Sequence, residues 1–497
     1  MSLAFGKRLA PGVPDLVFAL VLGSVLIGGR HRLLNDPGTP WHLRLGRDLA
    51  RTGLVPRSDG LTFTRAGEAW VDQSWLFDRG LAWVVDHGGW SAAAAAAAVG
   101  LAWLYSSLTR ALIGAGISPL VGLVTGVLAA GIGSIHFLMR PHLFTLGFFF
   151  ILTEICRRQH ERGGRVIFLA VPLTALWANL HGGFLAAPLV VFTAAAGHCV
   201  SGRLDPARRR QVVLFAAVGV LCIAAAVINP YGLGLYRHVG RLLVSSGVTE
   251  LIEEYQPTPF GNPDARVMEW VILALVALPV VASGRMSRYE LMHALVWLHL
   301  SLASFRHAPL FALAVAPGLA RVVDGLFQPG FDERTSRVEP RSLWPAVGAA
   351  GRGRAVWSGV SLTSFDPTHW PLDGLKVLNE RPVGNRLFHE QDWGGLIEAE
   401  SRPVRRAYLD DRFELYGKAF LLEYLNALQG GPDWEKIRDS GGIRLVWVRP
   451  DRGLARRIEQ DTGWRVVHRD AVSVLFERLD PGRVPESVAR GGRSTSD

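Results

Sequence analysis

The chain is poor in charge. Charged residues make up 19 % of its 497 residues, against about 25 % in ordinary soluble domains. Apolar residues reach 49 % and mean hydropathy is +0.22. This composition excludes a large all-soluble enzyme and a disordered chain. Lysine is nearly absent, at positions 7, 376, 418 and 436 only. Arginine therefore carries the net charge of +10, a usage that points to a GC-rich, bacterial genome. Cysteine occurs only at 156, 199 and 222. No pair has metal-ligand spacing, and no disulfide framework can form. No Walker lysine follows a Gly-rich loop, and there is no His-Glu-x-x-His and no nucleophile elbow. A P-loop NTPase, a zinc protease and a serine hydrolase are thereby excluded. A transferase built on this chain would draw on a lipid-linked donor.

What the chain has is long apolar runs. Ten candidate spans fall at 13–34, 90–108, 117–135, 141–156, 166–180, 183–200, 211–228, 267–283, 289–304 and 307–326. Runs of this length read as membrane helices. Lys7 and Arg8 precede the first run and no small-residue cleavage site follows it, so it reads as a retained span. The loops 157–165, 201–210 and 284–288 are short and Arg-rich, which marks them as cytoplasmic. The same bias places the N-terminus inside. It also explains the basic balance without nucleic acid. The alternate loops then face outward: 35–89, 136–140, around 181, 229–266 and 305–307.

The first outer segment is long. WHLRLGRDLA (41–50) and WVDQSWLFDRGLAWVVDHGGW (70–90) are amphipathic and rich in Trp, and such helices lie along the interface. Residues 327–370 are rich in Pro, Gly and Arg and read as a linker, with a weak extra span at 342–360. Beyond it the pattern turns soluble. Strands are expected at 386–390, 405–410, 443–449, 464–470 and 472–478, and helices at 418–428, 433–440 and 452–461. The mixed order gives a small α/β domain over 371–480, with a disordered tail at 481–497. The fold class is mainly α: a polytopic bundle of about ten or eleven spans (1–326) with a small C-terminal α/β domain. Ten spans put that domain in the cytoplasm and eleven put it outside.

The polar residues on the outer face are the informative ones. Asp36 follows the first span. His42, His136, Arg140, His142, His181, Arg237, His238, Arg306 and His307 all fall at outer span ends. Charge at such depth is costly and tends to mark function. Guanidinium pairs bidentately with phosphate oxygens, so the set suits an anionic lipid headgroup. Taken singly, each residue also fits a side chain reaching lipid phosphates. Asp36, in NDPGTPWH, is a candidate general base or a turn residue. Glu253 and Glu254, in ELIEEYQPTP, are lesser candidates for the same work. Two corners, WANLHGGF (177–184) and INPYGLGLY (228–236, with Tyr231), are either helix punctuation or substrate lining.

Several blocks resemble a large group of bacterial membrane proteins that look like C-type integral-membrane glycosyltransferases, the GT-C superfold. They are NDPGTPWHLRLGRDLARTGLVPRSDGLTFTRAGEAWVDQSWLFD, FLMRPHLFTLGFFF, LWANLHGGF, INPYGLGLY, ELIEEYQPTP, SFRHAPLFALAVAP, RLFHEQDWGGLIEAE, YLDDRFELYG and WRVVHRDAVSVLFER. The resemblance covers roughly residues 13–480. It implies an inverting transferase of the bacterial cytoplasmic membrane, working at its outer face. The donor would be a polyprenyl-phosphate sugar, as for protein mannosyl and lipid A aminoarabinosyl transferases. The acceptor would be a lipid, glycan or protein hydroxyl. Asp36 would be the base, and Arg140 and Arg306 would hold the phosphate. His42, His142, His181, Tyr231, Glu253, Glu254 and His307 would line the donor and acceptor sites. No cofactor is expected, and no acidic ligand set for a divalent metal is evident.

The chain departs from the group's pattern at Gly38, where the group has an acid, and at Gln73 and Ser74, where it has His-Glu. Those departures motivate an alternative: a catalytically degenerate membrane protein that binds a lipid-linked glycan or an assembly partner. A transporter would need inverted repeats and broken helices at mid-membrane, and no internal repeat is evident.

Overall fold

The computed structural model describes residues 11–200, 202, 205–245, 247–281, 286–327 and 362–479. The expected weak span at 342–360 and the tail at 481–497 lie outside the described residues. The chain divides into two compact units: residues 1–57 with 70–364, and residues 58–69 with 365–497.

The first unit is helical. Its helices are α1 (Val13–Gly23, continued by a π turn Ser24–Gly28), α2 (Gly38–Thr52), α3 (Trp75–Gly114), α4 (Pro119–Gly133), α5 (His142–Arg162), α6 (Ala170–Leu180), α7 (Ala186–Val200), α8 (Pro206–Ala225), α9 (Gly234–Gly240), α10 (Pro263–Val281), α11 (Arg288–Ala303) and α12 (Ala308–Phe327). Each of the ten expected spans falls on a helix. Among the described residues, four helical stretches are long and apolar enough to cross a membrane: Trp75–Gly114, Pro119–His136, Gly182–Val200 and Phe305–Phe327. Val13–Gly28 and Val166–Leu180 are shorter apolar helices. The unit is a membrane bundle. Small residues let its helices approach closely: Ala94, Ala98 and Ala102 on α3 are fully buried.

The two amphipathic segments form the helices expected of them. The second is joined to a span, because α3 runs from Trp75 to Gly114 with a corner at Gly89 (φ +68°, ψ −179°). That left-handed backbone suits glycine alone. The piece before the corner packs on α2. Gly46 lets the two backbones meet, since a Cβ there would run into the Asp78 carbonyl. Arg47 pairs with Asp86 at 2.7 Å across the same contact.

The ends of the bundle can be told apart by contacts. Leu33, Thr39 and Met139 meet at one end. Ser118 and Asp324 meet at the other, where the Ser118 amide donates to Asp324 Oδ1 at 3.0 Å. The chain leaves α12 at this second end. At 362–364 it is back at the first end. Thr363 Oγ1 donates to the Arg30 carbonyl (2.7 Å), and the Ser364 carbonyl accepts from His31 Nδ1 (3.0 Å).

The second unit carries one four-stranded sheet in the order β1-β2-β4-β3, with β1 Arg386–His389, β2 Ile443–Val448, β3 Trp464–Arg469 and β4 Val474–Arg478. β1 and β2 are parallel, and the other pairs are antiparallel. Central β2 (IRLVWV) is apolar and buried at every position but Arg444, as a strand covered on both faces requires. β3 lies at an edge and exposes Arg465 and Val466. Helices α13 (Leu372–Asn379), α14 (Gly394–Glu400), α15 (Phe413–Leu428), α16 (Asp433–Ser440) and α17 (Gly453–Glu459) complete the unit. Its core gathers Trp370, Leu378, Leu387, Trp393, Ile397, Leu445, Trp447 and Leu475.

The strand expected at 405–410 does not form. Only Ala407 pairs, in a single bridge to Thr62. Side chains take the neighbouring backbone donors: His389 Nε2 accepts from the Tyr408 amide at 2.9 Å, and the Tyr416 hydroxyl from the Asp410 amide at 3.0 Å. A backbone satisfied in this way needs no ladder.

The bridge shows why Ser58–Ala69, read from sequence as part of loop 35–89, folds with the α/β unit. Phe63 donates to the Ala407 carbonyl (3.0 Å) and Ala407 to the Leu61 carbonyl (3.1 Å). Thr64 Oγ1 reaches the Tyr408 carbonyl (2.5 Å). Asp59 Oδ1 takes a bond from Arg412 Nη2 (2.8 Å), which also serves Asp410 (2.6 Å). All three charged side chains are buried. Burial works against ionising Asp59, but Arg412 and Thr62 outweigh it and hold its carboxyl below the usual range.

Candidate functional site

The site lies at the first end of the membrane unit, where Asp36 begins α2. Asp36 Oδ2 accepts from the Thr39 amide at 2.8 Å, so it caps the helix that follows. Thr39 Oγ1 stands 2.9 Å from both this carboxylate and the Met139 carbonyl. Asp36 Oδ1 pairs with Arg140 Nε at 3.1 Å. The side chain is 2 % exposed. Burial raises its carboxyl above the usual range, against the pull of Arg140 and the Thr39 bonds, and Glu254 adds to the rise.

Around this pair the fold gathers groups from four other segments. His136 and Arg140 come from the turn between α4 and α5, and His142 opens α5. His181 comes from the corner after α6, Glu254 and Tyr255 from the long loop before α10, and Arg306 from the turn before α12. Arg306 lies 3.8 Å from Glu254 and stacks over the Tyr255 ring at 4.1 Å. Burial would lift the Glu254 carboxyl, yet Arg306 and Arg140 hold it down at about 2. Two carboxylates thus face two guanidiniums, with three imidazoles among them.

Hydrogen bonds fix the state of two of those imidazoles. His142 Nε2 lies 2.7 Å from the His136 carbonyl. A carbonyl only accepts, so Nε2 carries the proton. His181 Nδ1 lies 3.1 Å from the Gly183 amide and 2.7 Å from Thr145 Oγ1. The amide only donates, so His181 Nδ1 is the acceptor. Trp177 Nε1 donates to the same Thr145 oxygen at 2.8 Å and locks the arrangement from behind.

Beside the cluster runs an apolar cavity of about 520 Å³ between α3 and α5. Phe77, Leu81, Trp83, Leu104, Phe144 and Phe148 form its walls. Met139, Leu143 and Leu180 also line it, and each is a chain neighbour of Arg140, His142 or His181.

Of the residues expected from sequence, Asp36, His136, Arg140, His142, His181, Glu254 and Arg306 come together. The others do not. His42 turns to Asp78, with Nδ1 2.7 Å from Oδ1, and is covered by the Trp41 ring at 3.7 Å. The Tyr231 hydroxyl donates to the Pro56 carbonyl (2.7 Å) and accepts from the Asp72 amide (3.0 Å), so it braces the first loop. Glu253 is exposed. His307 Nδ1 lies 3.3 Å from the Leu300 carbonyl. Arg237 and His238 sit on short α9. Sequence reasoning missed Thr39, Thr145 and Tyr255. Thr39 had a signal, since an acid three residues ahead of a Thr at a helix start is a capping pattern. Thr145 and Tyr255 had none. Among the described residues, no group of three or more His, Cys, Asp or Glu is arranged to hold a metal ion.

The fold is similar to that of solved oligosaccharyltransferase structures. Two solved structures of the oligosaccharyltransferase from Archaeoglobus fulgidus match it. One is the archaeal oligosaccharyltransferase AglB in complex with an inhibitory peptide and a dolichol-phosphate: TM-score 0.51, 12 % identity, covering 88 % of this chain and 69 % of that one. The other is the apo form: TM-score 0.53, 12 % identity, covering 87 % and 69 %. No protein-family profile and no curated sequence matches the chain. The likeness is one of fold.

Proposed function

We propose that this protein is a membrane glycosyltransferase that takes its sugar from a lipid-phosphate donor and transfers it, with inversion, to a hydroxyl. One observation carries the reading: the apolar cavity borders a cluster containing Arg140, Arg306 and His181. A lipid-phosphate sugar has the matching form, a long apolar chain ending in an anion. The chain would occupy the cavity, and the phosphate would meet the guanidiniums, whose flat fork suits its oxygens. Asp36 acts on Arg140: pairing with Nε at 3.1 Å, it fixes where the guanidinium stands. The dolichol-phosphate seen with the archaeal neighbour is a ligand of the same form.

The working face is the outer one, by the charge of the Arg-rich loops at the opposite end. The chain enters the α/β unit from Ser364, at the site end of the bundle, and the unit also contains 58–69 of the first loop. By the same reading the chain segments that lead into the α/β unit, at 57–58, 69–70 and 364–365, lie on the outer side.

The test is release of polyprenyl phosphate from undecaprenyl-phosphate-linked mannose or aminoarabinose by the full chain in nanodiscs, with membrane glycan extract as acceptor. Turnover with inverted stereochemistry supports the reading. Saturable donor binding without turnover would favour the degenerate binder, which the losses at Gly38 and Ser74 motivate. No donor binding at all would sink both.

A further inference from the structure

The sequence pattern put proton transfer on Asp36. The geometry points to a different group. We propose that His142 Nδ1 takes the proton from the acceptor hydroxyl, an inference that rests on the transferase reading above.

His142 differs from the other groups of the cluster in what its free nitrogen can do. Asp36 is 2 % exposed, and both its oxygens are engaged by Thr39 and Arg140. The Glu254 carboxylate faces Arg306 at 3.8 Å and is committed to that ion pair. Guanidinium has no lone pair to offer. His181 has its acceptor nitrogen occupied by Gly183 and Thr145, so its neutral ring presents Nε2–H, a donor. His142 is the reverse case. Its Nε2–H is spent on the His136 carbonyl, so the lone pair of the neutral ring lies on Nδ1. Among the described residues no hydrogen bond engages that nitrogen, and the ring is half-buried beside the cavity residue Leu143. His136, 4.6 Å away ring to ring, has neither nitrogen fixed by a hydrogen bond among the described residues.

The two imidazoles then have complementary tasks. The acceptor oxygen forms a bond to the anomeric carbon while the bond from that carbon to the phosphate oxygen breaks. The phosphate leaves with the electron pair and goes from one negative charge to two. Arg140, Arg306 and the Nε2–H of His181 meet the new charge. The acceptor proton passes to His142 Nδ1. The imidazolium so formed keeps its bond to the His136 carbonyl, now charge-assisted. Its neighbours are His136, Arg140 and His181, with Arg306 and Glu254 beyond them. The departing phosphate supplies the charge that opposes the imidazolium.

The test uses the donor-release assay above. His142→Gln keeps an amide where Nε2 stood, so the bond to His136 survives while the Nδ1 lone pair is lost. It is expected to lower kcat about 100-fold or more, to abolish the acid limb of the pH–rate profile, and to leave binding of undecaprenyl phosphate unchanged. Added imidazole should restore turnover to His142→Ala. Asp36→Asn should instead raise KM for the donor with little change in kcat. Full kcat in His142→Gln, or loss of the acid limb in Asp36→Asn or His136→Gln instead, overturns the proposal and leaves the transferase reading standing. No release by the wild type from either donor removes the transferase reading itself, and the proposal with it. A nitrogen-15 spectrum of the histidines adds a readout free of activity: a proton on Nδ1 of neutral His142 would refute the assignment.

Discussion

Arg412→Met should loosen the α/β unit through one buried contact. Arg412 gives Nη2 to Asp59 at 2.8 Å, and Nε and Nη2 to Asp410 at 2.8 and 2.6 Å. It is 3 % exposed, and the two acids are 3 % and 0 % exposed. The substitution leaves two buried carboxylates facing each other with no cation between them. Breaking a buried pair from one side costs about 3–5 kcal/mol, which is roughly a 150- to 5,000-fold shift in the folding equilibrium. A domain of this size is stable by about 5–15 kcal/mol in all, so the unit should open often. Protease cleavage after Lys418 and Lys436 in the intact chain reports on that opening, and cleavage at the Arg-rich loops of the bundle serves as the control. Asp59→Asn in the same background should restore part of the loss, because the two groups act as one. A loss under about 1 kcal/mol, the value of a solvated pair, would refute the account of a dry contact.

Three further outcomes follow from the geometry. Gly147 lines the cavity, and a Cβ there meets nothing, so Gly147→Phe should fill the space, weaken undecaprenyl phosphate binding about tenfold or more and leave the melting temperature in place. Unchanged binding would move the lipid chain elsewhere. Reporter fusions at residues 365 and 479 should read the same side of the membrane as a tag at Gly53 and the opposite side from one at Arg162; a split result would remove the outer placement of the segments that lead into the α/β unit. Asp59, held below the usual carboxylate range, contributes stability that is complete above about pH 4 and is lost as pH falls through its lowered folded value. Glu398 acts in the opposite sense. Burial, then Asp410, raise its carboxyl well above the usual range, so its contribution is full below about pH 4.3 and fades as pH rises. Protease protection of the unit against pH checks both: Asp59→Asn should flatten the acid side and Glu398→Gln the alkaline side, and the reverse pattern would overturn the assignment.

Sequence determined the helices because a membrane span is a local property. Length, apolarity and the Arg bias of the loops are all written in consecutive residues, and every expected span falls on a helix. The four strands that formed were legible for the same reason, as short apolar runs between turns. Local signals also marked Asp36, Arg140, His142, His181, Glu254 and Arg306, because charge at a span end is conspicuous. They marked His42 and Tyr231 equally, and could not say that Asp78 would take the first or the Pro56 carbonyl the second. Those partners lie 36 and 175 residues away in the chain, and only the packing of distant segments brings them close. Packing also decided that Ser58–Ala69 belongs with strands more than 300 residues later, that residues 405–410 find side-chain acceptors and donors in place of a ladder, and that Asp36 is closed off by Thr39 and Arg140. The proton position on an imidazole is the extreme case. It depends on whether a carbonyl or an amide stands within 3.1 Å of one nitrogen, and although those groups lie only six and two residues away in the chain, the folded corner decides which of them turns to the ring.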